Sequence, residues 1–288
     1  MNTPTSHNSD ANEAAFHSPK TLHKERTEVG FLAILQEALT LPGVVNAAYR
    51  AFRNYSIGNQ ILAAMQLTSK GLPLSPIASF NAWREKGRIV KKGQKALQLF
   101  MPVNVKRREK GDAPAVEARE GGGVFNVFIL RPNWFSLDQT EGADFVPEVI
   151  VPTWDATTAL EALGITEEPF QHLLGNVLGY ATSKRSIATS PLNPFKHKTR
   201  FHEMAHIVLG HTEEDDMTDT PTTPRDIREA EAEGVAYILC ALVDLPGQAE
   251  SRSYIQSWLD GRELPEKSAR KVFGAADRIM KAGQPVSH

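Results

Sequence analysis

The feature that most constrains this chain is the pattern His-Glu-x-x-His, which lies in an apolar, helix-compatible run from Phe201 to His211. Residues four positions apart project from one face of an α-helix, so His202 and His206 can reach the same metal ion. Glu203 is placed to take a proton from a metal-bound water. A solvated surface helix is the alternative interpretation. Because the surrounding residues are apolar, the pattern favours a buried helix with half of a zinc hydrolase site.

A catalytic zinc site normally has a third protein ligand, and the histidine spacing of metzincins does not supply it. That spacing would require a histidine at position 212, which is Thr212. His211 comes five residues after His206, so on a continuing helix it is rotated away from the ligand face. We therefore interpret His211 as a polar residue at the end of the helix.

Two glutamates of a later helical segment, Arg225 to Tyr237, are better candidates for the third ligand. Glu229 and Glu233 share a helix face, whereas Glu231 points elsewhere and is interpreted as a solvated acid. If Glu229 binds the metal, Glu233 can accept the free N–H of a ligand histidine. The reverse assignment stays open. A His, His, Glu set suits Zn²⁺ and also accepts Mn²⁺ or Co²⁺.

Length and composition indicate an intracellular, two-domain protein. The 288 residues suffice for two hydrophobic cores. A single cysteine, Cys240, excludes an internal disulfide framework and suits the reducing cytoplasm. It lies in an apolar run, where a buried thiol is expected. The polar stretch 1–20 is expected to be a disordered tail, and no run approaches the length of a membrane span, so no membrane partner is expected.

Charge is unevenly distributed along the chain. Residues 1–150 contain 18 Lys and Arg against 14 Asp and Glu, a difference of +4, whereas residues 151–288 contain 14 against 20, a difference of −6. Between Arg50 and Lys110 there are 13 basic residues, and Glu85 and Glu109 are the acids. A basic half joined to an acidic half indicates two different tasks.

The basic region also carries aromatic residues between its cations. Cations that follow phosphates, beside rings that stack on unpaired bases, are typical of a groove for single-stranded DNA. The alternative is that the rings belong to the core and the cations form a solvated face, and spacing alone does not decide between them. The candidate DNA-binding residues are Arg50, Arg53, Tyr55, Trp83, Arg84, Lys86, Arg88, Lys91, Lys92 and Lys95.

Apolar periodicity predicts an α+β fold whose N-terminal domain combines helices with an antiparallel sheet. We expect domains over residues 21–145 and 146–288, divided where Gly142 to Pro152 interrupts any regular pattern. Helices are predicted at 24–39, 56–71, 79–87, 155–163, 169–178 and 225–237, and strands at 88–90, 96–105, 124–130 and 186–189. Residues 106–123 read as a charged hairpin loop. The strand at 186–189 precedes the metal helix, where it would pair with an extended peptide substrate.

Several short motifs occur together and in this order in ArdC-type antirestriction proteins of conjugative plasmids, which the chain resembles. They are Tyr55-Ser56-x-x-Asn59-Gln60, Ser79-Phe80-x-x-Trp83-x-x-x-Gly87-Arg88-x-Val90-x-Lys92-Gly93, Gln139-Thr140-Glu141-Gly142, His202-Glu203-x-x-His206 and Glu229-x-Glu231-Ala232-x-x-Val235-Ala236. The resemblance implies an N-terminal single-stranded-DNA-binding domain and a mainly helical, zincin-like metallopeptidase domain similar to the SprT and IrrE groups. By the family pattern, Glu229 is the third ligand.

The resemblance also implies that the protein protects incoming plasmid DNA during conjugation. Its expected partners are single-stranded DNA, double-stranded DNA more weakly, and an unknown protein substrate cleaved by a gluzincin-like zinc site. Two other hypotheses remain. The first is a protein that shields DNA without proteolysis and holds a structural metal, and the second is a regulatory protease that cleaves a repressor.

Overall fold

The computed structural model describes residues 29–41, 43–105, 125–147, 153–171, 177–214, 223–259 and 264–284. Within these ranges the chain combines helices with three small sheets, so the predicted α+β class is confirmed. The predicted tail, 1–20, and the charged connection, 106–123, lie outside the described residues.

Three helices open the described chain: α1 (Phe31–Thr40), α2 (Val44–Phe52) and α3 (Ile57–Ser69). The first and third lie where apolar periodicity predicts helices, whereas α2 was not predicted. Its buried residues Val45, Ala48, Tyr49 and Phe52 have the i, i+3, i+4, i+7 spacing of an amphipathic helix. The sequence interpretation had assigned this region to a binding surface because of its cations and rings.

A small antiparallel sheet follows the three helices. Its strands and neighbouring elements are β1 (Ile77–Ser79), α4 (Phe80–Glu85), β2 (Arg88–Val90), β3 (Leu97–Val105), β4 (Phe125–Ser136) and β5 (Thr140–Gly142). The strand order is β1-β4-β3, and β2 pairs with β5 in a separate ribbon. Leu97 and Leu99 are buried whereas Met101 is exposed, so the inner face of β3 ends before the hairpin tip. Strand β4 continues to Ser136, beyond the predicted end at Leu130.

The second part of the chain is mainly helical. It contains α5 (Ala156–Leu163), β6 (Thr166–Glu167), β7 (Gly179–Ala181), β8 (Ser186–Thr189), α6 (Lys196–Leu209), α7 (His211–Glu214), α8 (Arg225–Leu242), α9 (Gln248–Leu259) and α10 (Glu266–Ala282). The prediction of a helix at 169–178 was wrong for residues 169–171 and 177–178, which are not helical, and 172–176 lie outside the described residues. A short apolar run does not distinguish a helix from extended chain.

One hydrophobic core joins the N-terminal helices to the C-terminal ones. Buried residues of α1, α2 and α3 belong to the same cluster as buried residues of α6, α8 and α10. Hydrogen bonds cross this core: the Tyr237 hydroxyl donates to the Ala38 carbonyl at 2.7 Å, and the Asn46 amide donates to the Ala241 carbonyl at 3.2 Å. Residues on both sides of the predicted division at 145 therefore share one interior.

Two acids of α10 close the N-termini of N-terminal helices. The Glu266 carboxylate accepts hydrogen bonds from the backbone N–H groups of Phe31 at 2.5 Å and Leu32 at 2.8 Å. The Asp277 carboxylate accepts one from the N–H of Ile57 at 3.0 Å. The first N–H groups of a helix lack partners within it, so these carboxylates satisfy donors that no local cap provides.

Candidate metal centre and basic surface

Three predicted ligands converge where α6 meets α8. Their donor atoms lie within 4.8 Å of one another: His202 and His206 from α6 and Glu229 from α8. The two Nε2 atoms are 3.1 Å apart, and Glu229 Oε2 lies 3.3 Å from His202 Nε2 and 3.8 Å from His206 Nε2. Donors bound at about 2.1 Å around a tetrahedral ion lie about 3.4 Å from one another. The spacing of the three donors therefore fits one divalent ion.

The outer nitrogen of His202 faces Glu233, the other glutamate of the predicted pair. His202 Nδ1 lies 2.8 Å from Glu233 Oε2, and Lys198 Nζ lies 2.6 Å from Glu233 Oε1. A carboxylate at this position accepts the Nδ1 proton and leaves the Nε2 lone pair for a metal. The sequence interpretation missed Lys198, although it lies one turn before His202 on the same face of α6.

The charges of this cluster strongly perturb its pKa values. Burial alone would lower the pKa of His202, but hydrogen bonds to Glu229 and Glu233 raise it to about 10. Burial would raise the pKa of Glu229, yet its hydrogen bonds with the two histidines hold it far below its usual value. In the same way the pKa of Glu233 falls to about 2, against the effect of burial, through His202 and Lys198. Without a metal, a proton on His202 therefore balances two carboxylates.

His206 is held by a second buried pair, which the sequence interpretation did not predict. His206 Nδ1 lies 3.0 Å from His211 Nδ1, and His211 Nε2 lies 2.9 Å from Glu231 Oε2. His211 is 2% exposed and Glu231 is 0% exposed. Burial would raise the pKa of Glu231, but hydrogen bonds from His211 and Ser268 lower it, so Glu231 is a carboxylate.

The interpretation of Glu231 as a solvated acid was therefore wrong. His211 lies just after the end of α6, as predicted, and is not among the three donors, but it is buried. The argument about His211 assumed that the helix continued, but α6 ends at Leu209 and Gly210 adopts a left-handed conformation with φ of 80°. The chain turns there, which brings the imidazole of His211 back to that of His206. Glu231 points away from Glu229, as predicted, but toward the core and not toward water.

Glu203 lies beside the three donors, and only 7% of the residue is exposed. Burial, together with the negative charges of Glu229 and Glu233, raises its pKa to about 7 although the charge of His202 opposes this. Strand β7 leaves room for its carboxylate, because a Cβ at Gly179 would stand 3.0 Å from Glu203 Oε1. A carboxyl group with a pKa near neutrality can both accept and return a proton.

Strand β8 does not have the free edge that the sequence interpretation gave it. In the order β6-β8-β7 it is the central strand, with β6 parallel on one side and β7 antiparallel on the other. The prediction that residues 186–189 pair with an extended peptide was therefore wrong. Strand β7 lies next to Glu203, and among the described residues it has a single hydrogen-bonded neighbour strand, β8.

The cations predicted to bind DNA are mostly exposed. Arg84 and Lys86 lie at the end of α4, and Lys91, Lys92 and Lys95 follow β2; all five are exposed. Arg50 is exposed and Arg53 half-buried on α2, a different element. The cations of 84–95 therefore form one exposed basic segment, beside which Phe80 and Ile89 are 41% and 61% exposed.

Three of the predicted DNA-binding residues are held by the protein itself. Trp83 is 1% exposed, and its indole N–H donates to the Phe135 carbonyl at 2.8 Å, so its ring offers no face to a base. The hydroxyl of Tyr55, a half-buried residue, donates to the Ile77 carbonyl at 2.9 Å. Arg88 donates from Nε to Thr140 Oγ1 at 2.8 Å and thereby joins β2 to β5. For Trp83, the interpretation as a core residue is the one that fits.

The N-terminal part of the chain is similar to a known protein family. Residues 37–128 match the family model described as the N-terminal domain of anti-restriction factor ArdC. This segment is similar to the N-terminal domain of ArdC proteins. The resemblance to ArdC-type proteins predicted from the motifs is thereby confirmed. The match leaves out the metal centre, so a zincin-like domain remains a prediction.

Two crystal structures of the antirestriction ArdC protein from the R388 plasmid are similar to this chain. The metal-free one is 20% identical, covers 88% of this chain and 94% of its own, and superposes with a TM-score of 0.49. The Mn(II)-bound one is 19% identical, covers 89% and 99%, and gives a TM-score of 0.48. No curated protein matches the chain. Among the described residues no single helix is long and apolar enough to cross a membrane, although the bent pair α1 and α2, at 117°, passes on length and composition.

Several motif residues tie together the backbone of the N-terminal part of the chain. The Asn59 side chain donates to the Phe100 carbonyl at 3.0 Å and accepts from its N–H at 2.8 Å, which fixes β3 to α3. Gln139 accepts from the N–H of Ser136 at 3.0 Å and closes the turn after β4. Gly142, with φ of 126°, lies so close to the Gly87 carbonyl that a side chain would collide with it. These motif residues therefore maintain the fold of the N-terminal part of the chain.

Proposed function

We propose that this protein is an antirestriction factor that binds single-stranded DNA through its ArdC domain and cleaves a protein substrate at a divalent metal centre. The observation that carries the proposal is the convergence of His202, His206 and Glu229, with Glu203 beside them. The exposed basic segment 84–95 supports the DNA-binding role. Protection of incoming plasmid DNA during conjugation is the biological role that follows from the ArdC resemblance.

The donor set determines which metals are suitable. Two imidazole nitrogens and one carboxylate suit Zn²⁺, Mn²⁺ and Co²⁺, and we propose Zn²⁺ as the resident ion. Glu233 and the His211–Glu231 pair would orient the two imidazoles so that both Nε2 lone pairs face the ion. A bound ion would act as a Lewis acid that polarises a peptide carbonyl and lowers the pKa of a water molecule.

Glu203 would carry the protons of the reaction. Its carboxylate takes a proton from the attacking water and returns it to the leaving amine, which a pKa of about 7 permits in both directions. Gly179 keeps the space beside Glu203 Oε1 open. A closed structural metal site does not require a buried carboxyl group that does not bind the metal, so the presence of Glu203 favours a catalytic site.

Strand β7 is the element best placed to position a peptide. It packs on α6 next to Glu203 and has β8 as its one strand neighbour in the described part of the chain. An extended peptide added to its other side would receive backbone hydrogen bonds and pass Glu203. We therefore propose that an extended segment of a protein is the substrate.

The test combines metal analysis, a protease assay and a restriction assay on three proteins: the parent, Glu203→Gln and His206→Ala. We expect the parent to bind about one divalent ion per chain, Glu203→Gln to keep that ion, and His206→Ala to lose it. Both variants should bind oligonucleotides normally. If Glu203→Gln still protects plasmid DNA from restriction, proteolysis is not the mechanism, and DNA shielding with a structural metal is correct. If the parent protects plasmid DNA normally but binds oligonucleotides weakly and with little dependence on salt, the result would support the regulatory protease.

A further inference from the structure

The C-terminal helix α10 carries two acids that cap other helices and five cations that are mostly exposed. Its acids, Glu266 and Asp277, accept hydrogen bonds from the N-termini of α1 and α3. At 3.6 residues per turn its cations fall within an arc of about 100° and therefore lie on one helix face. Four are exposed, and Lys271 is half-buried with its Nζ 3.7 Å from Glu231 Oε2. We call the five cations the α10 stripe: Lys267, Arg270, Lys271, Arg278 and Lys281. From end to end the stripe spans about 21 Å at a rise of 1.5 Å per residue.

A groove runs along the middle of the α10 stripe. It has a volume of about 260 Å³ and lies between α10 and the end of α6. Lys271 and Arg278 flank it, while Val208, Leu209 and Ala275 give it an apolar floor. Gly274 is at its centre, and a Cβ there would meet nothing within 4 Å. The groove therefore combines cations with open apolar surface.

We propose that this groove is a second binding site for single-stranded nucleic acid, separate from the basic segment 84–95. Phosphates would lie along the cations of the α10 stripe, and the apolar floor would take up a base or sugar. Neither the ArdC domain match, which ends at residue 128, nor the predicted DNA-binding residues include α10.

Charge and position both favour a nucleic acid as the occupant. From Lys267 to Lys281 every exposed charged side chain of α10 is basic, which is complementary to a polyphosphate backbone. At one end Arg270 lies 5.9 Å from the ring centre of Phe128, which is 40% exposed and ends the matched ArdC segment. A strand bound by the ArdC domain thus meets an aromatic ring and then the stripe.

The test exploits Gly274, because a side chain there enters the groove without entering the core. Gly274→Glu places a carboxylate among the cations, Gly274→Lys adds a cation, and Gly274→Gln adds the same bulk without charge. All three replace glycine in a helix by better helix formers, so their melting temperatures should equal or exceed that of the parent. Lys184→Gln, an exposed change elsewhere on the C-terminal part, lowers the net charge by the same one unit as Gly274→Glu and is the charge-matched control.

Binding of a fluorescent oligodeoxythymidylate is measured by anisotropy at several salt concentrations. We expect Gly274→Glu to weaken binding about tenfold at low salt and to lower the salt slope by about one, and Gly274→Lys to strengthen binding. Lys184→Gln should change affinity less than about twofold. Gly274→Gln separates the effect of bulk from that of charge.

The inference rests on the proposed DNA-binding function, and the outcomes separate the two. If the parent does not bind the oligonucleotide, both are overturned. If the parent binds and Gly274→Glu and Gly274→Lys bind equally well, the groove site is overturned and the ArdC-domain function stands. Stronger binding of a polyglutamate peptide or of anionic vesicles than of the oligonucleotide would also overturn the inference, because the stripe would then serve another acidic partner.

Discussion

His211 Nε2 and Glu231 Oε2 lie 2.9 Å apart in the interior, with 2% and 0% of the two residues exposed. Since Glu231 is a carboxylate, it accepts the Nε2 proton of His211 and favours the Nε2–H tautomer, whose Nδ1 lone pair faces His206. His206 must therefore carry its proton on Nδ1, which leaves its Nε2 lone pair directed at His202 and Glu229. The buried pair thus selects the metal-binding tautomer of His206.

Glu231→Gln should weaken metal binding. A neutral amide can donate to His211 as well as accept from it, so the tautomer of His206 is no longer imposed. We expect the affinity for Zn²⁺ to fall about 10- to 100-fold, measured by competition with a chromogenic chelator. Glu168→Gln, a change at an exposed acid, is the control and should leave affinity unchanged. An unaltered affinity in Glu231→Gln would mean that the pair has a purely structural role.

Metal affinity should rise steeply with pH. The pKa of His202 in the metal-free protein is about 10, so His202 is protonated at neutral pH and must lose that proton when its Nε2 binds a metal. Below that pKa we expect about one proton released per ion and an affinity that rises about tenfold per pH unit between about pH 6 and 8. Calorimetry in buffers of different ionisation enthalpy counts the protons. Release of no proton would contradict the charge balance described above.

Asp277→Asn should stabilise the protein at neutral pH. Burial raises the pKa of Asp277 to about 6, although the N–H of Ile57 and the charge of Lys281 oppose this. The folded state therefore binds the proton of the Asp277 carboxyl group more tightly than the unfolded chain does. The stability that this protonation gives is lost as pH rises from about 4 to 6.

Asparagine can still accept the hydrogen bond from Ile57 and has no charge to bury. At pH 7 we expect the variant to gain on the order of 1–2 kcal/mol, allowing for the partial exposure of Asp277. Urea unfolding at pH 4 and 7 gives the free energy of unfolding of parent and variant. The contributions of the other carboxylates cancel in the difference between the two proteins. A difference that does not change with pH would contradict the shifted pKa.

Trp83→Phe and Phe80→Ala should have opposite signatures. Trp83→Phe removes the buried hydrogen bond to Phe135 and leaves a small cavity, so stability should fall by about 1–3 kcal/mol while oligonucleotide affinity stays the same. Phe80 is 41% exposed next to the basic segment, so its removal should weaken oligonucleotide binding several-fold with little loss of stability. Anisotropy and thermal melts on both variants check this. Weakened binding by Trp83→Phe at unchanged stability would restore Trp83 to the interface.

Sequence reasoning succeeded where the chemistry depends on spacing within one helix. His202 and His206 on α6, and Glu229 and Glu233 on α8, are each four residues apart, and helix geometry alone brings each pair to one face. It failed where a turn or a long-range contact decides the position. His211 reaches His206 because Gly210 ends the helix, and Glu231 meets His211 through the packing of α8. No local sequence pattern predicts either of these contacts.

The aromatic residues show a second limit. Trp83 and Phe80 are three residues apart on α4, yet one is buried and the other is 41% exposed. Both carry large rings near cations, and composition cannot tell which ring the sheet covers. The structure decides, because β4 offers the Phe135 carbonyl to the indole N–H of Trp83.

The interior shared by α1, α2, α3, α8 and α10 limits how the two proposed activities can be dissected. A fragment that stops at residue 145 would expose the apolar faces that Tyr237, Phe273 and Ile279 now cover, and would aggregate instead of binding DNA as an autonomous module. The chain should melt in a single transition, and an ion bound at α6 and α8 should protect the N-terminal part from proteases. Point substitutions, and not deletions, are therefore the means of separating nucleic-acid binding from catalysis.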